Sequence, residues 1–336
     1  MKNVTIIGAG SFGTALATVL DTAGNNVQIW AREQDIVDGI NKDHRNPSYL
    51  TDISLPPSIK AYSDLEHCLS DQDMILFATP SHTIREVAKK IKPCLDGHEI
   101  LVTVSKGIEN ETFKTMSQIL VEVMEGVTFE ENIGVLYGPS HAEEVSHLKP
   151  TTVVAASYST RTARIIQETF LTPMFRVYLN NDIIGVEIGG SVKNIMAIAA
   201  GIIDSAELGD NAKAALITRG LHEMKRMGVM MGAYSETFSG LTGLGDLIVT
   251  CTSKHSRNRY VGSQIGLGKN LDEIIKSMNM VAEGIKTTKS VHDWAERNNV
   301  DMPITAAIYR VLFENEDPRD ALNALMSRDP KDEVSI

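Results

Sequence analysis

Cysteine is scarce in this chain. Cys68, Cys94 and Cys251 are scattered, odd in number and lack metal-ligand spacing. That pattern excludes a disulfide framework, favours a reducing compartment and leaves no expected metal site. No apolar run reaches about 18 uninterrupted residues, so no membrane-crossing helix is expected. Nothing at the N-terminus resembles a secretory signal: the chain runs directly into Val4-Thr5-Ile6-Ile7, without a basic segment, a long apolar core and a cleavage site. Basic charge is in deficit, with 32 Lys and Arg against 43 Asp and Glu and a net charge of −11. A nucleic-acid partner needs a basic face and is not expected. A cytoplasmic protein acting on small molecules is the resulting expectation. Acidity overall still allows an anionic substrate, because local cations can line one cleft.

What is present suits a globular chain. Its 336 residues suggest roughly two domains at about 150 residues each. The apolar run Val4–Ile7 leads into Gly8-Ala9-Gly10-Ser11-Phe12-Gly13 and then Thr14–Leu20. Strand, glycine-rich turn and helix in that order form the context in which G-x-G-x-x-G signals a dinucleotide site. Gly8 makes the tight turn, Gly10 lets backbone approach a pyrophosphate, and Gly13 lets the helix pack close to the strand. The helix start adds N–H groups and a positive dipole end.

Further strands are expected at Val27–Trp30, Met74–Ala78, Ile100–Val104, Ile133–Tyr137, Thr152–Ala156 and Arg176–Leu179, with helical segments between. Such alternation implies an α/β fold, a Rossmann-like doubly wound and mainly parallel sheet over residues 1–181. Ligands of such sheets sit beyond the carboxyl ends of the strands. The polar clusters Thr79-Pro80-Ser81, Ser105-Lys106-Gly107 and Gly138-Pro139-Ser140-His141 fall at those ends. From residue 182 to 336 strand patterns stop and long helical stretches follow. No linker rich in Pro, Gly or Ser separates the halves, so tight packing of a dinucleotide-binding domain and an all-α substrate domain is expected.

Cofactor choice is read after the second strand, where a carboxylate often holds the ribose hydroxyls, roughly 20 residues beyond the glycines. Here Trp30-Ala31-Arg32 precedes Glu33. Arg32 is suited to a 2′-phosphate, which favours NADP(H), while Glu33 keeps NAD(H) open; alternatively both charges begin a solvated helix. Tyr49, ending the loop His44–Leu50, either touches the cofactor or packs the loop.

In the second half, Lys193 is the only charged residue between Glu187 and Asp204. Small residues around it suggest a buried helix, where a charge is costly without partners or a task. Burial would lower its pKa and ease proton exchange near neutrality; the alternative is a lysine snorkelling to the surface. Lys213 either supports the site or faces water. The segment Ser239–Asp246 is glycine-rich but has no preceding strand. It either presents Asp246 inward toward Lys193 or ends in a helix-capping aspartate. Ser256-Arg257-Asn258 at a helix start makes a phosphate receptor or a solvated basic loop. Glu283, in Val281-Ala282-Glu283-Gly284, meets a nicotinamide carboxamide or a ribose, or caps the next helix.

Taken together, these residues resemble the bacterial-type NAD(P)-dependent glycerol-3-phosphate dehydrogenases across almost the whole chain. The likeness rests on GAGSFGTALA at Gly8–Ala17, SKGIE at Ser105–Glu109, GPSHAEE at Gly138–Glu144 and EIGGSVKN at Glu187–Asn194. It continues through NAKAA at Asn211–Ala215, GLTGLGDL at Gly240–Leu247, SRN at Ser256–Asn258 and VAEG at Val281–Gly284. Phe12 stands where the family often has tryptophan or another aromatic, and Ser191 where alanine is usual. The resemblance implies reversible hydride transfer between NAD(P)H and dihydroxyacetone phosphate, giving sn-glycerol 3-phosphate for phospholipid synthesis.

The same resemblance assigns Lys193 as the acid/base at the C2 oxygen and Lys106 as a group polarising that oxygen. Asp246 would bind substrate and orient Lys193. Ser256, Arg257 and Asn258 would hold substrate, with Gly138 and Ser140 adding contacts. On the cofactor side it implicates Ser11, Phe12, Arg32, Lys106, Ala142, Arg257, Val281 and Glu283, with Tyr49 as an addition. A homodimer is a family-level expectation. The nearest alternative enzyme is a two-domain dehydrogenase of the 3-hydroxyacyl-CoA or 6-phosphogluconate type. Outside enzymes, the alternative is a dinucleotide-sensing protein without catalysis.

Overall fold

The structure is a computed structural model and describes residues 1–278, 280–330 and 332–333. Among the described residues, eight strands form one sheet in the order β3-β2-β1-β4-β5-β6-β7-β8. They are β1 (Asn3–Ile7), β2 (Asn26–Trp30), β3 (Lys60–Tyr62), β4 (Met74–Phe77), β5 (Ile100–Thr103), β6 (Ile133–Tyr137), β7 (Thr151–Ser157) and β8 (Phe175–Asn180). Every pairing is parallel except β6 with β7. Strands β4, β5 and β6 are buried throughout, which is why they read as unbroken apolar runs rather than alternating ones.

Helices α1 (Ser11–Thr22), α2 (Gln34–Asp38), α3 (Leu65–Leu69), α4 (Ile84–Ile91), α5 (Met116–Val123), α6 (Ala142–Ser146) and α7 (Thr160–Phe170) lie between the strands. The order of strands reverses between β1 and β4, the position where such sheets open a crevice. Register aligns their ends: Ile7 pairs with Trp30 and Phe77, and Phe77 with Thr103. The segments starting at Gly8, Ala31, Ala78 and Val104 therefore leave the sheet along one edge.

Two local readings change. Strand β3 has three residues, too short for a periodic signal, and was not expected from the sequence. The helical segment expected between the second strand and the loop His44–Leu50 is α2 followed by a π-helical turn, Gly39–Asp43. There, Gly39 lies against Pro47 and the carbonyl of Arg45, contacts that hold the returning loop close to the turn.

The sheet ends at Asn180, and α8 (Ile183–Ser205) begins the helical half. Around it stand α9 (Gly209–Met230), α10 (Asp246–Thr252), α11 (Arg257–Gly266), α12 (Leu271–Ser277), α13 (Glu283–Asn298), α14 (Pro303–Phe313) and α15 (Pro318–Met326). Every residue of α8 from Gly185 to Ile203 is buried. By length and a mean hydropathy of 1.4 this helix passes for a bilayer-crossing segment, yet 94% of that window is buried inside the protein. Its wall against α11 is backbone on backbone. A Cβ on Gly201 would stand 2.0 Å from the carbonyl oxygen of Arg259, and one on Gly262 1.8 Å from that of Ile198.

The halves meet along the sheet edge just described. The carboxylate of Glu283 accepts from the Ser81 N–H at 2.9 Å and its hydroxyl at 2.6 Å. Ser290 donates to the carbonyl of Ile108 at 2.9 Å, and Ser191 to that of Gly107 at 3.2 Å. Glu187, fully buried in α8, accepts from the Ser117 N–H at 2.9 Å at the start of α5.

Candidate active site

At one end of the crevice, backbone makes the site. Gly8 has φ +116°, a left-handed conformation that glycine adopts without penalty, and its N–H donates to Trp30 at 3.0 Å. A Cβ on Gly13 would lie 2.1 Å from the carbonyl oxygen of Gly8, so the helix can sit this close only without one. A Cβ on Gly10 would meet nothing within 4 Å. Helix α1 starts there with no side-chain cap and no acid in its first turn. Its first N–H groups and positive dipole end carry no side-chain cap, an arrangement that fits a pyrophosphate.

The second loop of this end is fastened by a residue that the sequence patterns did not single out. Asn46, 1% exposed, donates to the carbonyl of Ala9 at 2.8 Å and to the Thr14 hydroxyl at 2.9 Å. Its amide oxygen accepts from the N–H groups of Ser48 and Tyr49. Tyr49 and Phe12 are half-buried against the sheet's apolar core. Ala142, buried at the start of α6, lies where that helix packs on α1.

Arg32 stands exposed beyond β2, with Nε and Nη2 donating to Glu33 at 2.9 and 2.6 Å. The hydroxyl of Ser11 approaches the Met280 sulfur at 3.5 Å, bringing the segment before α13 over the glycine loop. Val281 is exposed and its carbonyl accepts from Arg257 Nη1 at 2.8 Å. Glu283 accepts from the Ser81 N–H and hydroxyl with its two oxygens, contacts that join the two halves.

At the other end, charged side chains make the site. Lys193 is 5% exposed and does not snorkel. Its Nζ donates to Asp246 Oδ1, and to the Thr250 hydroxyl at 2.7 Å. Lys106, half-buried after β5, donates to Asp246 Oδ2 at 2.7 Å and to the carbonyl of Gly138 at 3.1 Å. Asp246 itself is 1% exposed, at the first position of α10. One carboxylate thus serves two ammonium groups.

The electrostatics follow from that count. Burial lowers the pKa of Lys193 to about 7; Asp246 opposes the shift and Lys106 adds to it. For Asp246, burial pushes upward, but Lys106 and Lys193 outweigh it and hold the carboxyl below its usual value. Lys193 is therefore poised to give or take a proton near neutral pH.

Around this cluster, Ser140 donates to the Gly138 carbonyl at 3.1 Å. Ser256 caps α11, accepting from the Arg259 N–H at 3.2 Å, and Arg257 is exposed at the first turn. Asn258 is buried, donating to the Asn194 side chain at 3.0 Å and accepting from the Gly284 N–H at 2.9 Å. It thereby ties α11 to α8 and α13. Lys213 neither joins the cluster nor extends freely into water: it pairs with Asp204, as does Arg259. Thr250 and Asn194 were missed in the sequence. Thr250 had one usable signal, lying four positions after Asp246 on the same helical face. A separate cavity of about 610 Å³, lined in part by Phe113, Tyr158, Trp294 and Arg297, contains neither the lysine pair nor the glycine loop.

The chain is similar to known proteins over nearly its whole length. Residues 3–163 match the family described as NAD-dependent glycerol-3-phosphate dehydrogenase N-terminus, and residues 182–323 the corresponding C-terminus. A Salinibacter ruber protein named glycerol-3-phosphate dehydrogenase [NAD(P)+] 2 is 52% identical over 331 residues, covering 98% of this chain and 96% of its own. A Chlorobium limicola protein named glycerol-3-phosphate dehydrogenase [NAD(P)+] is 49% identical over 332 residues, covering 99% of each. The crystal structure of glycerol-3-phosphate dehydrogenase from Coxiella burnetii superposes with a TM-score of 0.92 at 39% identity, covering 97% of this chain and 99% of that one.

Proposed function

This chain belongs to the NAD-dependent glycerol-3-phosphate dehydrogenase family, and we propose that its catalytic centre is the buried Lys193–Asp246–Lys106 cluster. The protein is an NAD(P)-dependent oxidoreductase acting on a secondary alcohol, interconverting dihydroxyacetone phosphate and sn-glycerol 3-phosphate. The observation that carries the catalytic assignment is the sharing of one buried carboxylate by two lysines.

A bound nicotinamide dinucleotide supplies or accepts the hydride at C2. In reduction, the Lys193 ammonium donates its proton to the C2 oxygen; in oxidation, the neutral amine takes it back. Lys106 lies on the same carboxylate and stabilises negative charge developing on that oxygen. Asp246 and the Thr250 hydroxyl fix the Lys193 amine so that little reorientation accompanies transfer. Arg257 receives the phosphate at the start of α11, with Ser256 and Asn258 holding that turn, and Gly138 and Ser140 complete the substrate wall. Gly8, Gly10, Ser11, Phe12 and Gly13 cradle the pyrophosphate, with Tyr49, Lys106, Ala142, Arg257, Val281 and Glu283 along the rest of the cofactor.

NADP(H) is the favoured cofactor in this reading, because the exposed guanidinium of Arg32 follows β2 where an NAD site would place a carboxylate. Glu33, already on that guanidinium, tempers the preference. The cytoplasmic supply of sn-glycerol 3-phosphate to glycerophospholipid synthesis is the cellular role that fits this activity.

The test is to mix the protein with dihydroxyacetone phosphate and NADPH, then NADH, and follow the nicotinamide absorbance from about pH 6 to about pH 9. Oxidation with at least one cofactor is expected; none with either overturns the function. Because the Lys193 pKa is lowered to about 7, kcat/KM for reduction should fall as pH rises through that value, and the reverse reaction should rise. A profile flat through neutrality removes Lys193 as the acid.

A further inference from the structure

Among the described residues, one imidazole beside the lysine cluster carries a buried nitrogen with no hydrogen-bond partner. His141 lies between Ser140 and Ala142 in the loop leaving β6. Its Nε2 is buried and makes no hydrogen bond among the described residues. A buried polar atom left unpaired is costly, so its position beside the charged cluster makes a ligand a candidate partner. The ring stands 5.9 Å from that of His255, tilted by 51°, and His255 immediately precedes Ser256 and Arg257. His141 thus links the β6–α6 loop to the turn assigned to the phosphate, and it lies within electrostatic reach of Lys193, Asp246 and Lys106.

We propose that His141 is a specificity-determining residue whose Nε2 hydrogen-bonds the free C1 hydroxyl of the three-carbon substrate. The proposal rests on the substrate assignment made above and reaches the hydroxyl by elimination. In dihydroxyacetone phosphate the C2 oxygen is claimed by Lys193 and Lys106, and the phosphate by Arg257. The C1 hydroxyl is the remaining polar group. Burial, then the charge of Lys193, lowers the His141 pKa and favours the neutral ring. A neutral imidazole offers one donor and one acceptor, which suits a hydroxyl better than a dianion.

The experiment compares kcat/KM for dihydroxyacetone phosphate and for hydroxyacetone phosphate, which has hydrogen in place of the C1 hydroxyl, in the wild type, His141→Phe and His141→Gln. The wild type should prefer the hydroxylated substrate. His141→Phe should lose about tenfold to a hundredfold on it and little on the analogue, collapsing the discrimination. His141→Gln, which keeps a donor and an acceptor, should retain most of the preference. Should phenylalanine not be accommodated, as judged by circular dichroism, the same ratio is read on His141→Ala. Equal losses on both substrates, or no loss on either, overturn the proposal and leave His141 a structural or water-bound residue. A wild type inactive on dihydroxyacetone phosphate would instead refute the enzyme assignment.

Discussion

The two ends of the crevice are built from different materials. At the glycine loop, recognition is a property of backbone: a left-handed Gly8, a helix start without cap or acid, and an open face at Gly10. At the lysine cluster it is a property of side chains, with charges carried by the β5 end, α8 and α10 converging on one carboxylate. The first tolerates little change of shape, and the second little change of charge. In the proposed reading, the cofactor end is therefore a geometric device and the substrate end an electrostatic one.

The largest effect is expected from removing the proton donor. Lys193→Ala should lower kcat by about a thousandfold while leaving dinucleotide affinity within about twofold, read by steady-state rates and by fluorescence titration of the cofactor. Near-normal turnover would make Lys193 structural; a matching loss of cofactor affinity would erase the distinction between the two ends.

Gly13→Ala tests the geometric end. Its Cβ would lie 2.1 Å from the Gly8 carbonyl oxygen, so either loop or helix must shift, at about 1–3 kcal/mol. Cofactor affinity should fall about tenfold or more, with a lower Tm, while kcat at saturating cofactor changes less. Unchanged affinity would mean that the loop has more room than its contacts indicate.

The smallest effect concerns cofactor choice. Arg32→Ala should cost about tenfold in kcat/KM with NADPH and less than about twofold with NADH. Equal losses would remove the 2′-phosphate argument and leave Arg32 as the partner of Glu33.

How much the sequence disclosed divides along the same line. Strand β1, the glycine turn and α1 are contiguous, and their constraint is local, so G-x-G-x-x-G could be read directly. Lys193 was visible too, as a lone charge in a long apolar stretch, and Asp246 as a candidate partner. For Lys106, pattern gave only its place in a polar cluster at a strand end; its role came from family resemblance, because the carboxylate that gives it meaning is 140 positions away. Asn46 was missed for a similar reason: its four hydrogen bonds arise when the loop folds back on the glycine turn. Glu283 was noticed but not its contact, since Ser81 lies 202 positions earlier. Short β3 escaped because three residues carry no period.

The bare contact between α8 and α11 has a consequence for what the enzyme can measure. Gly201 and Gly262 bring the two backbones together with no side chain between them that could bend or repack. Lys193 rides on one of these helices, and Ser256, Arg257 and Asn258 lie at the start of the other. On the proposed assignment, the pair works as a caliper, one jaw at the carbonyl and the other at the phosphate. A phosphorylated ketone with one more carbon between those groups should then fit poorly, because the spacing of the two helices that carry Lys193 and Arg257 is set by backbone contact.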